Sequence, residues 1–202
     1  MGAGGLATGV ARATPAAAKF YGEDALRGMR DFRLADYADQ LARVAGTIVA
    51  FASRDGLKQW IPFLAANYRS VDVHVWHKPN AIPFTNNTWK SDVEYLLLGS
   101  RYCKHQYVPQ HEKSKVFTAR TVQRKSHPTQ KPLPLIEKYV RILTAPGELV
   151  VDPFAGSGTT LVACVNHGRR GIGVEKLKKY CRIAAERVEA AAAALRSPAT
   201  RP

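Results

Sequence analysis

Apolar positions along the chain keep two rhythms, and their alternation predicts the order of the elements. Leu34, Tyr37, Leu41 and Val44 recur at helical spacing and stop at Gly46, which predicts a helix of about ten residues. Thr47 to Ala52 follows as a strand and Gly56 to Asn67 as a second helix. Val71, Val73 and Val75 alternate with Asp72 and His74, the period of a strand with one better-buried face, and Trp76 to Asn80 closes it. Asp92 to Gly99 is the third strand, and its continuous apolar second half fits burial on both faces of a sheet. The rhythm is lost from Arg101 to Lys131. It returns with a helix from Pro132 to Leu143, opened by prolines that suit a first helical turn. Glu148 to Asp152 then reads as a strand, Gly158 to Asn166 as a helix, and Gly171 to Glu175 as a strand. A long terminal helix runs from Leu177 to about Ala194, the alanine run 190–194 forming its last part. Strands alternating with helices predict an α/β fold with a mostly parallel sheet. No internal repeat interrupts the series.

Composition narrows the class. With 202 residues, 46% of them hydrophobic, the chain suits one well-buried domain and excludes a disordered tail or a large multidomain machine. Lys and Arg number 30 against 16 Asp and Glu, a formal charge of +14. That excess points to a polyanionic partner, nucleic acid first, although a solvated positive surface would give the same count. Cys103, Cys164 and Cys181 form no C-x-x-C pair, and their odd number argues for a reducing cytoplasm over secretion. No apolar run approaches the roughly 18 to 20 residues of a membrane span, so no membrane partner is expected. Residues 1–19 lack the charged and Leu-rich regions of a signal peptide and read as a flexible lead-in.

The most informative segment runs from Val150 to Thr160, a strand ending in Asp152, a turn holding Gly156 and Gly158, then a helix. Such a turn offers backbone N–H groups to a ligand lying across the carboxyl end of the strand. It is not a phosphate-binding P-loop, because Gly158 is followed by Thr159 where Lys is required. Nor is it the full dinucleotide fingerprint, since Leu161 stands where the third glycine belongs. A ligand without a pyrophosphate fits better. Asp152 suits an ammonium group, and Glu175, ending the next strand, suits both hydroxyls of a ribose. S-adenosylmethionine carries both features. The plainer alternative is an ordinary strand, turn and helix with glycines for tight packing.

Ser126-His127-Pro128-Thr129-Gln130-Lys131-Pro132, followed about twenty residues later by Asp152-Pro153-Phe154-Ala155-Gly156-Ser157-Gly158-Thr159-Thr160, closely resembles the beta-type DNA amino-methyltransferases. Those enzymes methylate adenine N6 or cytosine N4, and in them the first segment precedes the glycine turn, as here. Gly171 to Glu175, then Tyr180, Ala184 and Arg187, match the family's closing pattern, and the upstream strands resemble its later sheet strands, so the likeness covers about Tyr21 to Glu189. It implies a Rossmann-like S-adenosylmethionine-dependent methyltransferase fold, a mostly parallel sheet flanked by helices and closed by one reversed strand. It implies also that Asp152, Phe154, Gly156, Gly158 and Thr159 line the methionine side of the cofactor, that Glu175 holds its ribose, and that His127, Thr129 and Lys131 belong to the same pocket. The family's catalytic signature, an Asp, Asn or Ser before Pro-Pro and an aromatic residue, has no match. The chain contains no Pro-Pro dipeptide, and its Asp-Pro is Asp152-Pro153 of the turn. Phe20 to Asp24 resembles a stretch found just downstream of that signature in phage-type members, so a chain beginning after it is expected over a degenerate one. No catalytic residue is named.

Arg101 to Lys131 carries eight Lys or Arg residues against the single acid Glu112. Its first part, 101–125, lies where the family places target recognition. Arg101, Lys104, Arg120, Gln123, Arg124 and Lys125 are the candidates for contacts to double-stranded DNA. The insert is short, which limits recognition to few base pairs or draws on a second subunit, as in a homodimer. Cys103, His105 and His111 lack a fourth ligand and match no standard zinc site, so no metal is expected. The expectation is thus one cytoplasmic α/β domain over 20–202 that uses S-adenosylmethionine to methylate a base amine in DNA, adenine N6 ahead of cytosine N4. A catalytically silent cofactor- and DNA-binding relative, a methyltransferase acting on RNA or protein, and a non-enzymatic basic DNA-binding module stay open beside it.

Overall fold

Nearly every strand boundary follows the apolar pattern to within a residue or two in the computed structural model, which describes residues 33–81, 89–102, 108–123 and 126–196. The lead-in expected over 1–19 lies outside the described residues. The chain divides into two compact units, Met1–Lys104 with Ser114–Arg120, and His105–Lys113 with Thr121–Pro202. The sequence reading of one domain over 20–202 made no such division.

In the first unit a single 3-10 turn, Leu34–Asp36, leads into α1 (Ala38–Val44), β1 (Thr47–Ala52), α2 (Leu57–Asn67), β2 (Ser70–His77) and β3 (Val93–Ser100). β4 (Val116–Thr118) joins them from the basic insert, which sequence alone left without elements. The sheet order is β1-β3-β2-β4. β3 runs antiparallel to both neighbours, with Ala50 opposite Leu97 and His74 opposite Leu96, and is the expected reversed strand. β4 pairs parallel to β2, and the buried indole of Trp76 donates to the Ala119 carbonyl at 2.8 Å. Leu96, Leu97 and Leu98 are buried on both faces, as their continuous run requires. β2 departs from the pattern, because its better-buried side chains are His74 and Trp76 while Val73 stands exposed. The large indole and its hydrogen bond outweigh the hydropathy of the valines in choosing the inner face.

α2 lies on this sheet through Trp60 and Leu64, which join Ile48, Ala50, Ala52, Tyr68 and Leu97 in the core. The approach is close enough to require a glycine: a Cβ at Gly99 would stand 2.7 Å from Leu64 Cδ2 and 3.1 Å from the Tyr68 ring.

The second unit holds α3 (Leu133–Leu143), β5 (Leu149–Asp152), α4 (Thr159–Asn166), β6 (Arg170–Gly173) and α5 (Lys178–Arg196). β5 and β6 pair in parallel, Val151 opposite Ile172. α4 packs against α3 and α5, burying Leu135, Tyr139, Val162, Ala163, Cys164 and Ala184. A 3-10 turn at Gln110–Lys113 is tied to α3 by the pair of Glu112 with Arg141, so the insert's single acid holds its own strand of chain in place. Leu149, Val151, Ile172 and Val174 share the face of β5 and β6 turned away from α4, and each is 46–56% exposed. Among the described residues no helix is long and apolar enough to cross a membrane.

Gly99→Ala should destabilise the protein by about 1 to 3 kcal/mol, the usual cost of overpacking a closed core, because fully buried Leu64 has nowhere to swing. The midpoint of urea unfolding reads the effect, and an unchanged midpoint would mean that α2 and β3 are not in contact.

Candidate functional site

β5 ends on Asp152, and the chain then turns sharply through two residues of positive φ, Gly156 at 52° and Gly158 at 77°. Asp152 organises this turn. Its Oδ1 accepts the Phe154 N–H at 3.0 Å and its Oδ2 accepts the Thr160 hydroxyl at 2.6 Å, which ties the strand tip to the first turn of α4. The backbone closes around it, with Ala155 N–H donating to Val174 O, Val174 N–H to Asp152 O, and Gly158 N–H to Ala155 O at 2.7 Å. Each Asp152 oxygen keeps a second acceptor site for a ligand cation.

Glu175 lies two residues past β6 and holds the same turn from the other strand. Its Oε2 accepts the Gly156 N–H at 3.0 Å and its Oε1 the Leu177 N–H at 2.8 Å. The carboxylate is therefore fixed in orientation and retains lone pairs for hydroxyl donors.

Packing requires glycine at 158, and the positive φ favours it at both positions. A Cβ at Gly158 would meet Ala184 Cβ of α5 at 2.8 Å, and one at Gly156 would touch the His127 ring at 3.4 Å. The missing third glycine has a structural substitute. Leu161 lies on β6 where Gly171 and Gly173 would put a Cβ 3.0 and 2.7 Å from its methyl groups, so the strand supplies the space that the dinucleotide fingerprint takes from the helix.

His127 completes this side. Its ring stands edge-on to Tyr180 with centroids 4.2 Å apart, and Nδ1 accepts the Thr129 N–H at 3.3 Å, with the Thr129 hydroxyl at 3.0 Å. An Nδ1 that accepts leaves the proton on Nε2 in the neutral ring. Burial lowers the His127 pKa, with nearby Lys179 and Lys131 acting the same way and Glu175 opposing them. Gln130 shapes the segment by accepting the Ser126 N–H at 2.7 Å through Oε1. Cys164, buried in α4, has its thiol pushed up to about 11 by burial and stays protonated. Phe154 is half exposed at the mouth of the turn.

Asp152, Phe154, Gly156, Gly158, Thr159, Glu175, His127, Thr129 and Lys131 thus all fall in the second unit, and the hydrogen bonds and contacts above join seven of them through the turn. Thr160, Tyr180 and Ala184 belong with them. The signal for Thr160 was present, a hydroxyl eight residues after a strand-tip acid and inside the first helical turn, where Thr can reach back. The donor set suits a ligand that combines an ammonium group, a hydroxyl pair and an anionic group, the last for the free N–H groups and positive end of α4. S-adenosylmethionine has all three.

The proposed DNA contacts fare differently. Arg101 is used inside the first unit: its guanidinium donates to the carbonyls of Ala42 and Asn67 and lies over the Tyr68 ring at 5.2 Å. Its guanidinium therefore closes two helix ends, and the side chain is half-buried there. Arg120 is exposed just past β4, and Gln123 is exposed with its amide on the Thr121 carbonyl at 3.3 Å. Lys104, Arg124 and Lys125 lie outside the described residues, as do Cys103 and His105. Among the described residues no three His, Cys, Asp or Glu side chains are grouped to hold a metal ion.

The family described as DNA methylase matches residues 33–186. The chain belongs to that family. The structure of M1.HpyAVI in complex with S-adenosylmethionine is 32% identical, with a TM-score of 0.66, over 77% of this chain and 83% of that one. Type II methyltransferase M2.DpnII of Streptococcus pneumoniae is 48% identical over 64 residues, 32% of this chain and 24% of that protein. DNA adenine methyltransferase YhdJ of Escherichia coli K12 is 39% identical over 66 residues, 33% of this chain and 22% of that protein. The matched part thus spans about a quarter of the length of these two curated methylases.

The depressed His127 pKa gives a pH dependence. Below the ordinary value of 6.5 the unfolded chain takes up a proton that the folded ring refuses, so stability falls as pH drops from 6.5 toward the folded-state pKa. The unfolding midpoint should fall more between pH 7 and 5 for the wild type than for His127→Asn; equal slopes would mean that His127 is not held neutral.

Proposed function

We propose that this chain binds S-adenosylmethionine in its second unit and methylates an exocyclic amine of double-stranded DNA, adenine N6 ahead of cytosine N4. The observation that carries the reading is the pair of fixed carboxylates, Asp152 on the strand tip and Glu175 on the Gly156 and Leu177 amides, facing one glycine turn. In this reading Asp152, Phe154, Gly156, Gly158 and Thr159 take the methionine side. Glu175 takes the ribose hydroxyls, and His127, Thr129 and Lys131 close the pocket, His127 as a neutral donor through Nε2. When bound, the cofactor supplies an electrophilic methyl group. The protein's part is to orient it and to hold the Glu175 carboxylate in register through the Gly156 and Leu177 amides. The similarity to a protein named as a DNA adenine methyltransferase supports the choice of adenine.

The charge of +14 supports a DNA partner, with Arg120, Gln123, Lys104, Arg124 and Lys125 as its contacts. The short insert supports a homodimer, in which a second subunit would add to target recognition. A second reading, cofactor and DNA binding without transfer, rests on one observation: the sequence has no Pro-Pro dipeptide, so no residue is assigned to hold the base amine.

Labelled S-adenosylmethionine and unmethylated genomic DNA, incubated with the chain and digested to nucleosides, should give labelled N6-methyladenine. Cofactor binding without any labelled base would favour the silent reading. By calorimetry, Glu175→Ala should weaken S-adenosylmethionine binding by about tenfold or more, the loss of hydrogen bonds to a charged acceptor. Replacing Arg120, Arg124 and Lys125 together by Ala should reduce the salt slope of DNA binding by about one per cation removed, and an unchanged slope would move the DNA surface elsewhere.

A further inference from the structure

The terminal helix α5 meets the glycine turn along one face. Tyr180, Ala184 and Arg187 are spaced by four and three residues, and they touch His127, Gly158 and the pair Ser157 and Thr159 in turn. Arg187 reaches furthest. Its Nη1 donates to the Ser157 carbonyl, to Ser157 Oγ at 2.9 Å and to Thr159 Oγ1 at 3.3 Å. Ser157 and Thr159 are themselves buried, so these oxygens take their hydrogen bonds from the protein.

None of those three partners is a carboxylate, and no ion pair to Arg187 occurs among the described residues. The cation also sits at the N-terminus of α4, where the helix dipole is already positive. A partly buried Arg in that place costs stability unless a negative charge accompanies it, and desolvation lowers its pKa accordingly. Holding the turn alone would not require a charge, because a neutral amide could donate to the same oxygens. The charge suits an anionic group of a ligand bound at the turn.

We propose that Arg187 is a positioning residue for the amino-acid end of the cofactor, fixing the turn from Ser157 to Thr159 and supplying the positive field that the methionine carboxylate requires. The inference rests on the cofactor reading above and goes past it, since it assigns a task to a residue on the far helix. It distinguishes the two ends of the ligand. Glu175 serves the ribose end, so Arg187 matters only where the amino-acid end is present.

Calorimetry on the full chain tests this with two ligands, S-adenosylmethionine and 5′-methylthioadenosine, which keeps the adenosine and the sulfur but lacks the amino acid. Arg187→Gln should weaken S-adenosylmethionine by about tenfold, the scale of one charged hydrogen-bond partner, and leave 5′-methylthioadenosine within about twofold. Arg187→Lys keeps the charge and loses the fork, so it should cost S-adenosylmethionine only about threefold and spare the truncated ligand. If Arg187→Gln does not fold, the lysine variant alone carries the comparison. Equal losses for both ligands would make Arg187 a merely structural residue and overturn the proposal, as would unchanged binding of S-adenosylmethionine. A wild type that binds 5′-methylthioadenosine but gains nothing from the amino acid would overturn it while leaving the Glu175 assignment intact. A wild type that binds neither would overturn the cofactor reading itself.

Discussion

Close approach at glycine sets the geometry of the second unit. Leu161 of α4 rests where side chains on Gly171 and Gly173 would stand, and Ala184 of α5 rests where a side chain on Gly158 would stand. α4 is thereby held between a strand and a helix at distances that no larger residue allows. Everything at the site follows from this spacing. Asp152 can reach Thr160 because α4 starts directly over the strand tip, and Arg187 can reach Ser157 because α5 lies against the turn. Moving the helices apart by the width of a methyl group would break several of these hydrogen bonds together.

The two carboxylates show how the site is prepared for a ligand with charge at one end and hydroxyls at the other. Neither floats in solvent. Asp152 is held by an amide and a hydroxyl, Glu175 by two amides, and each remains an acceptor for more. Fixing a carboxylate before the ligand arrives lowers the entropy lost on binding. His127 adds a neutral ring whose tautomer is set by Thr129, so the pocket presents defined donors and acceptors at neutral pH.

The basic insert gains most from the folded structure. As sequence it is a run of cations with no apolar period. In the structure its pieces have separate tasks. Val116–Thr118 adds a strand beside β2, and Glu112 anchors a turn to Arg141. Arg101 caps two helix ends, while Arg120 and Gln123 remain exposed. Counting charges pointed to a polyanionic partner but could not separate the arginine that packs from the one that faces solvent.

The elements, the glycine turn and the family were legible because each is written in contiguous residues. A period of two or 3.6, a proline at a helix start and a strand-tip acid before two glycines need no distant partner to be recognised. β1 and β3 are found where the apolar runs stand, and nine candidate cofactor-site residues were named from three short segments. Tertiary structure alone decided which face of β2 is buried, how Leu161 replaces a glycine, and where Arg101 and Arg187 spend their charge. Those outcomes depend on distances between residues tens of positions apart, and only the packed chain fixes such distances.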